Sequence, residues 1–109
     1  MSIIFKKGVD TYGVKQVVIE AMSLVAEYYK ITYGSDLVIT SVLDGSHMYA
    51  SKHYSGEAFD VRTWTTRTSG VQIPMNDKRV IAYQLKQLLG SDFDVVCEDT
   101  HIHCEYDPR

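Results

Sequence analysis

The chain has 109 residues, of which 45% are hydrophobic and 23% charged, and a formal net charge of -3. That length supports one hydrophobic core and leaves no room for a second domain, so residues 1–109 are read as a single unit. The composition excludes disordered and fibrous classes, and the acidic balance provides no electrostatic footprint for nucleic acid.

At the N-terminus, Ile3, Ile4 and Phe5 ahead of Lys6 and Lys7 are far too few for a signal-peptide core, and no later run approaches a membrane span. The expectation is a monomer made in the cytoplasm without a signal peptide and with no membrane partner. From Gly13 to Tyr29, Val14, Val17, Val18, Ala21, Met22, Leu24, Val25 and Tyr28 recur at helical spacing, with Gly34 closing the segment. The β-branched run "DLVITSV" (36–42) predicts a buried strand. A polar, turn-rich loop follows over 43–56, and "EAFDVRTW" (57–64) alternates as a second strand. A loop of that length in a compact domain is more often functional than not.

Beyond Pro74 and Asn76, the residues Val80, Ile81, Leu85, Leu88 and Leu89 predict a second helix that stops at Gly90. The runs "DFDVVCE" and "HIHCEY" are separated only by Asp99 and Thr100, which predicts a tight β-hairpin. Two long helices and four or five strands, not in strict alternation, make an α+β domain with the helices over one sheet face.

The hairpin register places Glu98 opposite His101, and His103 shares their face because strand side chains alternate. Cys97, Ile102 and Cys104 fall on the other face, which reads as buried, with the two cysteines diagonal and therefore thiols rather than a bridge. Upstream, His53 and Asp60 flank Gly56, where a left-handed backbone would turn the chain so that the two side chains approach each other. Singly, each histidine has an ordinary reading as a solvated side chain, and Asp99 as a turn former. Together, all four histidines fall in two short motifs. His53, Asp60 and one hairpin histidine make a three-ligand divalent-metal site with a fourth position left to water. A metal so held lowers the pKa of its water to about 7, and a neighbouring carboxylate, Glu98, is placed to take the proton.

These residues resemble the zinc peptidases of the hedgehog/DD-peptidase fold, which include D-alanyl-D-alanine carboxypeptidases and phage L-alanyl-D-glutamate endolysins. The family pattern Ser-x-His-x-x-Gly-x-Ala-x-Asp is matched by Ser51, His53, Gly56, Ala58 and Asp60, and the acid before His-x-His by Glu98, His101 and His103. The resemblance covers roughly residues 35 to 107, and the short chain looks most like single-domain members carried by bacteriophages.

The fold so implied has a small antiparallel sheet and two main helices. Implied too are zinc held by His53, Asp60 and His103, Glu98 as general base, and His101 stabilising the oxyanion or the departing group. In members with Glu-x-x-His spacing the ligand would instead be His101; phage-type members often carry Asp just before the first histidine, where this chain has Thr100 preceded by Asp99, so the acid could be Asp99 rather than Glu98. His47, Ser51 and Arg62 would line the substrate site. The implied substrate is the D-amino-acid-containing stem peptide of bacterial peptidoglycan, and the enzyme would be released by phage lysis or carried in a virion. In many members an arginine follows Ile-Thr-Ser and holds the substrate carboxylate. Here Val42 follows, so Arg62 or Arg67 would have to substitute, and a metal-bearing binding module of the same fold is the alternative.

Overall fold

The computed structural model describes residues 3–43, 56–63 and 72–108. In chain order the elements are β1 (Ile3–Phe5), α1 (Gln16–Tyr33), β2 (Leu37–Ser41), β3 (Ala58–Arg62), α2 (Met75–Leu89), β4 (Phe93–Cys97) and β5 (His101–Tyr106). The strands form one five-stranded sheet in the order β1-β2-β3-β5-β4. β1 runs parallel to β2 and every other pairing is antiparallel. The α+β class therefore stands, but the sheet is mixed rather than wholly antiparallel. The difference is due to β1, whose three residues carry no buried alternation and are recognisable only by their pairing with Leu37, Val38 and Ile39.

Alternation divides the sheet into two chemically distinct faces. Leu37, Ile39, Phe59, Val61, Ile102, Cys104 and Phe93 point into the core, where they join Val18, Met22 and Val25 of α1 and Ile81 and Leu85 of α2. Each such side chain, fully removed from water, contributes about 1.5–3 kcal/mol. The opposite face carries Asp60, Arg62, His101, His103, Glu105 and Asp94.

Helix boundaries follow from backbone chemistry. α1 begins three residues later than the apolar periodicity predicts, because Gly13 has φ +83° and the amide of Lys15 is bonded to the Gly56 carbonyl. It runs to Gly34, whose left-handed conformation (φ 64°) lets the Gly34 and Ser35 amides cap the carbonyls of Lys30 and Tyr29. α2 starts directly after Pro74, carries Asp77 in its first turn and ends at Gly90, as expected. Among the described residues no helix is long and apolar enough to cross a membrane.

Candidate functional site

The predicted hairpin forms as read. Cys97 pairs with Ile102, the amide of Glu98 donates to the His101 carbonyl at 2.9 Å, and Asp99 and Thr100 make the turn. The turn is held from two sides. The buried Lys78 of α2 donates its Nζ to the Asp99 carbonyl, and Gln72 Nε2 reaches the Thr100 carbonyl at 3.5 Å. Gln72 Oε1 in turn accepts from the buried hydroxyl of Thr63, one residue past β3.

Across β3 and β5 the register sets Asp60 opposite His103, Arg62 opposite His101, and Ala58 opposite Glu105. A register shift in β2 between Ile39 and Ser41 sets two residues against one and brings Ser41 opposite Asp60. Such a bulge re-aims a side chain beside a site. Three rows result on the polar face: Arg62–His101–Glu98, Ser41–Asp60–His103–Val96, and Ala58–Glu105–Asp94.

Asp60 is the centre of this face and is only 7% exposed. Its Oδ1 lies 3.0 Å from Nδ1 of His103, and its Oδ2 lies 3.8 Å from Nε2 of His101. The other nitrogen of each ring also has a partner, His103 Nε2 at 2.8 Å from Glu105 Oε1 and His101 Nδ1 at 3.2 Å from the Thr100 hydroxyl. Burial alone would lower the His103 pKa, but its hydrogen bonds to Asp60 and Glu105 and their negative charges outweigh burial and hold it above the ordinary value.

Asp60 and the hairpin histidines offer carboxylate-oxygen and imidazole-nitrogen donors, the ligand types that zinc accepts. With bonds of about 2.0–2.2 Å, neighbouring tetrahedral ligand atoms lie roughly 3.3 Å apart. The two Asp60–histidine separations, 3.0 and 3.8 Å, bracket that value. The contacts fall on different oxygens of Asp60, so each hairpin histidine offers its own pairing with the carboxylate.

Gly56 has φ +73°, the left-handed backbone expected of it. A β-carbon there would come within 2.5 Å of the Gly13 carbonyl oxygen, so the position is closed to any side chain. Glu98 is exposed at the hairpin end. Arg62 is half-buried beside His101. His47, Ser51, His53 and Arg67 lie outside the described residues. Cys97 and Cys104 are free and diagonal in register, and burial, followed by the charge of Asp60, pushes the Cys104 thiol far up, which keeps it unreactive.

Glu105 escaped the sequence reading, although His101, His103 and Glu105 continue one alternating stripe that could have disclosed it. Asp94, Glu105 and Asp107 were also missed. Among the described residues they form the one group of three whose possible ligand atoms lie within 4.8 Å of one another. Exposed acidic groups are common without an ion, and Asp107, although two positions beyond Glu105, lies past the end of β5.

The chain is thus a small α+β domain with a mixed five-stranded sheet and an acid–histidine cluster on its polar face. No protein-family model matches it, and no curated protein matches its sequence.

Proposed function

We propose that the protein is a zinc-dependent peptidase acting on the D-amino-acid-containing stem peptides of bacterial peptidoglycan, of carboxypeptidase or endolysin type. The observation that carries this reading is the pairing of Asp60 with His103, Oδ1 to Nδ1 at 3.0 Å, next to a second histidine on the same strand. Asp60, the last residue of the first motif, lies beside the histidines of the second, although Glu98, where that motif begins, is 38 positions further along the chain.

Asp60 and His103, with His53, would hold the zinc, which supplies a polarised substrate carbonyl and an acidified water when bound. Glu98 would take the proton of the attacking water and pass it to the departing amine. His101, on the Glu98 side of the metal pair, would donate to the oxygen on which negative charge builds. Arg62, in the same cross-strand row as His101, would meet a substrate carboxylate in the role that the residue after Ile-Thr-Ser has in other members.

The test is release of new amino or carboxyl termini from purified muropeptides by the zinc-loaded chain, compared with Glu98→Gln. The reading expects cleavage by the wild-type chain and a loss of at least about 100-fold in the variant at unchanged zinc content. A zinc-loaded wild-type chain that binds cell wall but releases no termini is a binding module instead.

A further inference from the structure

His103 has both ring nitrogens engaged, Nδ1 with Asp60 Oδ1 at 3.0 Å and Nε2 with Glu105 Oε1 at 2.8 Å. A ligating imidazole is neutral and has one N–H left, so the partner of the second nitrogen decides which nitrogen faces the metal. Asp60 is itself a ligand in the reading above, and its side is the metal side. Glu105 lies on the opposite edge of the ring.

We propose that Glu105 is the positioning residue of this site: it accepts the Nε2–H of His103, which fixes the tautomer and makes Nδ1 the ligating nitrogen. The inference rests on the metal reading of Asp60 and His103.

Three features suit Glu105 to the task. Strand alternation places it two residues beyond His103 on the same face, within reach of the ring without backbone adjustment. Its cross-strand neighbour on β3 is Ala58, fully buried and only a methyl group, so β3 itself sets no bulky side chain against the Glu105 carboxylate. On its far side Asp94 and Asp107 bring two more carboxylates within 4.8 Å. Both are acceptors, so the donor placed against Glu105 is the His103 ring nitrogen at 2.8 Å. By contrast His101 has a neutral hydroxyl at its second nitrogen, a weaker constraint on its tautomer. The asymmetry favours His103 as the ligand and leaves His101 freer to donate.

The test combines zinc affinity, from competition with a chromophoric chelator, with ¹⁵N–¹H correlation spectra of the histidine rings in the zinc-loaded full chain. In the wild type, His103 is expected to be metal-bound at Nδ1 and protonated at Nε2. Glu105→Ala is expected to weaken zinc by roughly 10- to 100-fold and to lose that single-tautomer signature. Glu105→Gln retains an acceptor oxygen and the side-chain shape, and is expected to weaken zinc less than the alanine variant while keeping the Nδ1-bound tautomer. Zinc on Nε2 of His103 in the wild type, or zinc affinity within about twofold of wild type in Glu105→Ala, overturns the proposal while leaving the metal site standing. A wild-type chain that takes up no zinc overturns both.

Discussion

Asp60 and His103 sit directly opposite each other on β3 and β5, and their side chains meet at 3.0 Å on the face of the sheet turned away from the helices. The core-facing neighbours of the pair, Phe59, Val61, Ile102 and Cys104, are all fully buried. A slip of one residue in either strand would bury the carboxylate and the imidazole in the core and expose four apolar side chains. Core burial therefore sets the register that brings the acid and the histidine together.

The two hairpin histidines should separate by readout. His103→Ala is expected to lose zinc by more than about 100-fold, whereas His101→Ala should retain zinc within a few-fold and lose turnover. Metal analysis of both purified variants checks this, and loss of zinc from His101→Ala alone would exchange the two roles.

Gly56→Ala should destabilise the fold by more than about 2 kcal/mol, because alanine is strained at positive φ and its methyl would meet the Gly13 carbonyl. Denaturant unfolding measures the loss. A cost under about 0.5 kcal/mol would mean that this approach of the two chain segments does not persist in solution.

Tyr29 lies in the core at 3% exposure, and among the described residues its hydroxyl has no hydrogen-bond partner. Burial pushes its pKa far up, with nearby Cys104 and tyrosine charges adding to the effect, so the hydroxyl stays neutral. Tyr29→Phe removes an unpaired polar group while preserving the ring packing against Tyr28 and Tyr33. Stability should be unchanged or rise by about 1 kcal/mol, and a loss above that would reveal a partner for the hydroxyl.

The pH dependence of the metal-free chain follows from His103. Its pKa is raised on folding, so its contribution to stability is fully present below the unfolded value of 6.5 and is lost as pH rises through the higher folded value. Thermal unfolding of wild type minus His103→Gln should show this difference shrinking from pH 6 towards pH 8. A difference growing over the same range would contradict the paired imidazolium. Zinc competes with the same proton, so its affinity should fall with pH below the folded value.

Much of this was legible in the chain itself, for physical reasons that differ by element. The α1 and α2 periodicities and the stops at Gly34 and Gly90 were readable because helix packing and capping leave local traces. The hairpin was readable because two alternating runs flank only Asp99 and Thr100, and that reading also predicted the partnership of Glu98 with His101. β1 was not, since three residues paired to a strand more than thirty positions away leave no periodic signal. The face-to-face placement of Asp60 and His103 depends on a register between strands distant in sequence, which no local pattern encodes. The β2 irregularity beside Asp60 and the role of Lys78 in holding the turn belong to that same tertiary level.

The central claim is that Asp60 and His103 hold a zinc ion, and zinc-edge anomalous scattering from crystals of the full chain, purified without a chelator or histidine tag, tests it most directly. The account predicts one zinc per chain, bonded at about 2.0–2.2 Å to the Asp60 carboxylate and to Nδ1 of His103. A chain without zinc, or an ion seated among Asp94, Glu105 and Asp107 with Asp60 left out, would contradict it.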